Sequence, residues 1–283
     1  MDFKKFRSLP FKELKRWFDN KYGFGKLEQI IASNWLNPLA TFYLNLRSLP
    51  LLQAWKMPIF VYGRPRFYNL SGRIVIEGKI KTGMITFNQA RPGAPSVMSV
   101  QSEIMNQGTI VFHGTGTIGT GNKVRVSESA ILEIGCHFAI ADMVNIGCYS
   151  QIIIGNYAKI AHRCQILDSN YHYVANLNNH TVPRWTRPII IGTRCWICNS
   201  TTVTGGTVLP DYTIVASNSL VNRDFSAIPQ KSIIGGVPAK YLASGYMRVY
   251  NPQSINVITE YYGNNSDGMY LYPEDVEPDS YLS

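Results

Sequence analysis

The segment Asp168-Ser169-Asn170-Tyr171-His172 sets an imidazole two residues beyond an amide and four beyond a carboxylate. A neutral imidazole can take the proton of a hydroxyl as that oxygen attacks an electrophile, worth about 10²–10⁴ in rate. A nearby carboxylate or amide can fix the ring's tautomer, and Asp168 and Asn170 both qualify. The same spacing also fits a loop histidine held by local hydrogen bonds. His113, His137 and His162 read as structural, whereas His180 is close enough in sequence to touch a bound acceptor. Cys195 and Cys198 form a C-x-x-C, a redox pair or half a zinc site in isolation. No second C-x-x-C completes a four-cysteine site, so no metal is expected.

The elements that position these residues follow from a six-residue repeat. Apolar residues recur at Ile134, Ile140 and Ile146, resume after two extra residues at Ile154, Ile160 and Ile166, and run unbroken from Ile191 through Ile197, Val203, Leu209 and Val215 to Val221. Ile118 and Val124 are earlier copies. Four positions after each stands a small residue: Val144, Ser150, Ala158, Cys164, Cys195, Thr201, Thr207, Thr213 and Ser219, with Phe138 and Asn170 as exceptions. This explains Cys195 as a core residue. Six residues suit one short strand and a bend; three such units make a triangular coil, and coils stack about 4.8 Å apart through backbone hydrogen bonds. Glycine often follows the apolar residue, as at Gly135, Gly147, Gly155 and Gly192, where a bend is expected to favour a residue without Cβ. The 25 residues from Ile166 to Ile191 are not a multiple of six, so a loop, roughly 171–188, leaves the prism with His172 at its root. Tyr173, Trp185 and Arg187 in that loop could form a platform for a sugar or simply anchor the loop.

Of the 283 residues, 45% are hydrophobic and 16% charged, which fits a folded protein with a sizeable core and excludes disorder. The apolar stretch from Trp35 to Leu46 is broken by Asn37, Pro38 and Asn45, so no spanning helix is expected. No apolar region follows the charged N-terminus as a secretory signal would require, and five cysteines form an odd set; both point to a cytoplasmic protein. The net charge of +9 suits nucleic acid, an anionic membrane or a phosphorylated ligand. Residues 1–58 read as a helical extension. Phe11, Leu14, Phe18 and Tyr22 fall on one face, and Leu39, Phe42, Tyr43 and Leu46 form a stripe after the Asn37-Pro38 start. These stripes are expected to pack on the main domain; the alternative is a basic amphipathic helix resting on a membrane. From about Ile59 the texture turns to short β-branched runs, giving a β domain over 59–232 and a closing segment with an acidic tail over 233–283.

The repeat over about residues 110–245, closed by Ile233-Ile234-Gly235-Gly236-Val237-Pro238-Ala239-Lys240, resembles the hexapeptide acyltransferases. The closing segment looks like the G-x-P-A-K hairpin of serine, maltose and galactoside O-acetyltransferases. Residues 37–67 and the Asp168–His172 motif are similar to capsule or lipopolysaccharide O-acetyltransferases. The resemblance implies an all-β solenoid, a left-handed parallel β-helix, although parallel crossovers are normally right-handed. It implies transfer of acetyl from acetyl-CoA to a carbohydrate hydroxyl, with His172 as general base, no acyl-enzyme, no metal, and a backbone N–H for the developing oxyanion. It puts Asn199, Ser217 and Asn222 along the coenzyme, Lys240 at a phosphate with Arg223 assisting, and Trp196 near the acceptor end, toward which the loop positions of Trp185 and His180 also point. Cys198, Thr204, Pro210 and Ala216 stand where the family has glycine, and Ala216-Ser217-Asn218-Ser219 replaces its A-G-S. It further implies a homotrimer; from charge, the basic N-terminus suits work on a lipid-linked glycan at the inner face of the membrane, with no nucleic acid as partner. Three alternatives remain open: N-acetylation of an amino sugar, a non-catalytic assembly module, and a carbonic-anhydrase-type metal hydratase, whose H-x4-H pair is absent.

Overall fold

The computed structural model describes residues 34–90, 100–265, 268–274, 277–278 and 280. The helix expected around Phe11–Tyr22, the basic N-terminal residues, and Asp267, Asp275 and Asp279 lie outside them. Among the described residues two helices, α1 (Pro38–Ser48) and α2 (Leu51–Ala54), precede 22 strands, and α3 (Pro252–Asn264) follows. The strands fall into three sheets. Sheet 1 contains β1 (Ile59–Val61), β4 (Ile85–Phe87), β7 (Gly116–Ile118), β10 (Phe138–Ile140), β13 (Lys159–Ile160), β16 (Trp196–Ile197) and β19 (Ile214–Val215), ending in the antiparallel hairpin β21 (Ser232–Gly236) and β22 (Ala239–Ser244). Sheet 2 begins with β2 (Arg66–Asn69), and its later strands include β11 (Asn145–Cys148), β14 (Gln165–Leu167), β17 (Thr202–Thr204) and β20 (Leu220–Val221). Sheet 3 runs from β3 (Arg73–Ile76) through β9 (Ile131–Ile134), β12 (Gln151–Ile154) and β15 (Ile189–Ile191) to β18 (Val208–Leu209). The chain visits the sheets in rotation, and every pairing but the final hairpin is parallel. This is the expected all-β solenoid, of the left-handed parallel type.

Register explains the core. Ile118, Ile140, Ile160, Ile197, Val215 and Ile234 stack coil on coil in sheet 1, and Ile146, Ile166, Val203 and Val221 do so in sheet 2. All are buried, and each contributes on the order of 1.5–3 kcal/mol. The two extra residues after Ile146 lengthen a strand by one in-out period: Ile152 and Ile154 both face inward, paired with Leu132 and Ile134. Cys148 therefore occupies the interior, and Ser150, expected there, is only half-buried. Phe138 departs from the small-residue rule because Gly116, one coil earlier, leaves it room: a Cβ on Gly116 would stand 2.1 Å from the ring.

The glycines after the apolar positions have a different cause from the one expected. Gly135, Gly155 and Gly192 are absent from the left-handed region. A Cβ on Gly155 would lie 2.5 Å from the amide nitrogen of Thr193, and one on Gly192 2.7 Å from that of Asp211, so they allow adjacent coils to approach. The left-handed position comes two residues later and is mostly not glycine: His137, Met143, Tyr157, Arg163, Arg194, Ser200, Tyr212 and Asn218 all have φ between 54° and 62°. Their N–H groups donate to the preceding coil, as in Tyr157 to Cys136 (2.7 Å), Arg194 to Asn156 (2.7 Å) and Tyr212 to Thr193 (2.8 Å).

Helix α1 closes the open end of the prism, capped by Asn37, whose side chain accepts from the Ala40 N–H, with Pro38 at the first turn. Its orientation departs from the expected packing: Thr41, Leu44, Asn45 and Ser48 face the prism, and of the expected stripe Leu46 packs partly against the core while Leu39, Phe42 and Tyr43 are exposed. Replacing Gly155 by alanine should lower stability by about 1–3 kcal/mol through forced separation of two coils. Gly263→Ala, in α3 with open space around it, should raise stability by up to about 1 kcal/mol. Denaturant midpoints measure both.

Candidate functional site

The loop leaves at the edge between sheets 2 and 3, after β14, and re-enters at β15. Its two arms pair: the Asn170 N–H donates to the Trp185 carbonyl (3.0 Å), the Arg187 N–H to that of Asp168 (2.9 Å), and Asn176 and Thr181 exchange bonds further out. The root rests on the preceding coil through Asp168. That side chain is fully buried, its Oδ1 accepting from the Tyr149 N–H (2.8 Å) and its Oδ2 from the Ser150 N–H (2.7 Å). Burial pushes the carboxyl above its ordinary range, opposed by the N–H groups of Tyr149, Ser150 and Gln151. Asp168 is thus engaged in holding the loop root. On the other side, Gly205 and Gly206 make room for it. A Cβ on Gly205 would meet the Asp168 and Arg187 carbonyls at 2.8 and 2.9 Å, and the Arg187 guanidinium lies over Gly206.

His172 and Asn170 are exposed, and among the described residues no hydrogen bond reaches the imidazole or the Asn170 side-chain carboxamide. The ring therefore stands at the loop root, open to a ligand. Beside it is an aromatic cluster that the repeat did not reveal. Tyr149 meets Tyr171 edge-on (5.0 Å between centroids) and Trp185 at 5.4 Å, with Tyr173 6.3 Å from Trp185. Burial and the hydrogen bond with Tyr171 push the Tyr149 hydroxyl up to about 12. The available signal for Tyr149 was its place inside the two-residue slip, where the loop root had to find support. His180 lies at the loop tip, exposed and left-handed (φ 55°).

The residues expected along a coenzyme fall on two edges. Asn199 and Ser217 occupy successive coils of the edge between sheets 1 and 2, and the Asn218 N–H donates to the Asn199 carbonyl (3.0 Å). Lys240 pairs with Gly235 in the closing hairpin, which packs on Ala216 and is pinned where the Gly236 N–H donates to the Ser219 hydroxyl (3.1 Å). Asn222 and Arg223 follow β20, on the loop's own edge and about 10 Å along the axis from it. Both edges flank the outer face of sheet 2. Trp196 stands elsewhere, on the outer face of sheet 1 beneath the Arg248 guanidinium (5.2 Å), and is not brought together with His172.

His113 lies between Glu77 (2.8 Å) and Glu133 (3.6 Å), and His137 stacks on Tyr157 (4.8 Å). Cys195 is buried, its thiol donating to the Pro210 carbonyl (3.1 Å) and pushed up to about 12 by burial. Cys164 is pushed up to about 11 for the same reason. Such thiols stay protonated at neutral pH and make poor nucleophiles. Among the described residues no group of three histidine, cysteine or acidic side chains is placed to hold a metal.

No family model matches the chain. It is 27% identical over 147 residues to WbbJ of Escherichia coli K12, provisionally named a lipopolysaccharide biosynthesis O-acetyl transferase, covering 49% of this chain and 74% of WbbJ. It is 26% identical over 117 residues to WcaF of Escherichia coli K12 and of Shigella flexneri, provisionally a colanic acid biosynthesis acetyltransferase, covering 41% of this chain and 60% of WcaF. The crystal structure of the polySia specific acetyltransferase NeuO superposes with a TM-score of 0.51 at 14% identity, covering 68% of this chain and 83% of NeuO. The sequence similarity to acetyltransferases, together with the shared fold, bears out the resemblance to the hexapeptide acyltransferases.

Asp168→Asn keeps the shape but weakens one of two buried acceptors, at a cost of about 1–3 kcal/mol. Limited proteolysis should show faster cleavage within 171–188, with the far-ultraviolet dichroism of the coils unchanged.

Proposed function

We propose that the protein transfers an acetyl group from acetyl-CoA to a hydroxyl of a carbohydrate, with His172 as the general base. The observation that carries this reading is an exposed imidazole at the root of a loop on a solenoid similar in sequence to polysaccharide acetyltransferases. A sugar hydroxyl is a weak nucleophile at neutral pH, while the thioester supplies an activated acyl carbon. His172 takes the hydroxyl proton as the new C–O bond forms and returns it to the departing thiol sulfur as the C–S bond breaks. The aromatic cluster supports a carbohydrate acceptor, since Tyr171, Tyr173 and Trp185 offer ring faces and hydroxyls beside the imidazole.

The coenzyme reading rests on chemistry at the two edges flanking sheet 2. Asn199 and Ser217 would hold the pantetheine arm through backbone and side-chain groups, and the exposed Lys240 ammonium would meet a phosphate as a point charge, helped by Arg223. Asn170 is the remaining candidate to orient His172, because both Asp168 oxygens already accept backbone N–H groups. A homotrimer forms part of the proposal. The outer face of sheet 3 carries Ile153, Ile190 and Val208 in register, bounded by Glu133 on the preceding coil, a short apolar surface suited to a second copy.

Coenzyme A release measured with a panel of neutral and amino sugars tests the reading. Turnover should appear with a hydroxyl acceptor and fall about 10²–10⁴-fold in His172→Ala with the fold intact. Turnover that survives that change, or that requires an amine, would sink it. Lys240→Ala should raise the KM for acetyl-CoA roughly tenfold and leave kcat nearly unchanged.

A further inference from the structure

The cap at the N-terminal end of the prism is turned inside out relative to an ordinary amphipathic helix, and strand β1 supplies the reason. A first strand has no earlier coil to satisfy its backbone. The Val61 N–H donates to the Thr41 hydroxyl (3.0 Å), the Ile59 N–H to the Asn45 side-chain oxygen (3.1 Å), and the Asn45 amide to the Ile59 carbonyl (2.7 Å). These polar side chains face the prism together with Leu44, and several apolar ones on the opposite side face away. Leu39, Leu51, Leu52, Trp35 and Trp55 are each between 67% and 86% exposed on α1, α2 and their flanks. A solenoid end in water needs a polar outer surface; this one is apolar and rich in tryptophan.

Its charge is one-sided. Between residues 34 and 76 stand Arg47, Lys56, Arg64, Arg66 and Arg73, with no aspartate or glutamate. We propose that this cap seats on an anionic lipid bilayer, with the tryptophans and leucines entering the headgroup boundary and the cations meeting lipid phosphates. Tryptophan rings favour that boundary, and each nearby cation adds attraction to an anionic leaflet. No helix among the described residues is long and apolar enough to cross a membrane, so the contact is interfacial. The basic character of the first 33 residues has the same sign, but the surface proposed is the cap itself. The proposal does not depend on acyl transfer.

Sedimentation of the full chain with vesicles tests it, using phosphatidylcholine alone and phosphatidylcholine mixed with phosphatidylglycerol. The wild type should partition onto the anionic vesicles. Leu52→Ser with Trp55→Ser, and separately Arg47→Glu with Lys56→Glu, should each weaken partitioning at least about tenfold. All four sites are exposed, and circular dichroism checks that the fold is retained. The proposal is overturned by absence of binding, by equal binding to both vesicle types, or by undiminished binding of both variants, which would assign the contact to residues 1–33. It is equally overturned if gel filtration shows a self-associated wild type that the Leu52/Trp55 variant dissociates and no vesicle binding occurs, since the cap would then cover a second copy.

Discussion

Every feature of this solenoid depends on the axial hydrogen bond that each coil makes to the one before it, and the corners are where that bond is hardest to keep. A strand bonds its neighbour without strain, but a chain turning from one sheet to the next must still aim an N–H along the axis. At many corners it does so by placing one residue in the left-handed region, a conformation that costs a non-glycine residue about 1–3 kcal/mol. On the edge between sheets 3 and 1 the side chains at those positions form a stack that offsets the strain. His137 lies on Tyr157, the Arg194 guanidinium sits 4.6 Å from the Tyr157 ring and 5.7 Å from that of Tyr212, and Lys231 lies 5.4 Å beyond. Tyr250 adds a lateral tie, its hydroxyl donating to the Arg194 carbonyl (2.6 Å).

The repeat was legible because an inward residue leaves a trace at a fixed interval, held from Ile134 to Ile146, from Ile154 to Ile166 and from Ile191 to Val221. The left-handed corners were not, because Tyr157, Arg194 and Tyr212 have no preference for that conformation; stacking and axial bonding impose it. The first coils were read only as β texture because their strands in sheet 3 carry two inward residues, as with Ile74 and Ile76, which hides the six-residue interval. The outward turn of Leu39 and Phe42 was hidden for a related reason: periodicity marks the apolar face of α1, but the unsatisfied backbone of β1 decides which face is buried.

The site divides in the same way. The loop with His172 at its root was legible from a phase break, a property of spacing, while the role expected of its imidazole came from the family resemblance. The task of Asp168 depends on which N–H groups the previous coil presents, and nothing near position 168 in the sequence encodes Tyr149 and Ser150 as its partners. Gly205 and Gly206 belong to the same set, meaningful only once the coil beyond the loop is known. Cap and loop stand four coils apart, about 20 Å along the axis, so a single ligand touching both would have to be extended.

Close glycine contacts occur on all three edges, and between sheets 3 and 1 a stack of side chains also covers the seam. Where Gly135, Gly155 and Gly192 seat against the next coil, backbone touches backbone at less than the width of a methyl group, and the stacked rings outside close over the seam. That side acts as the spine of a bound book: no page can be inserted there without splitting the binding. The excursion bearing His172 leaves from another edge, so the loop that carries the chemistry can vary without disturbing that seam.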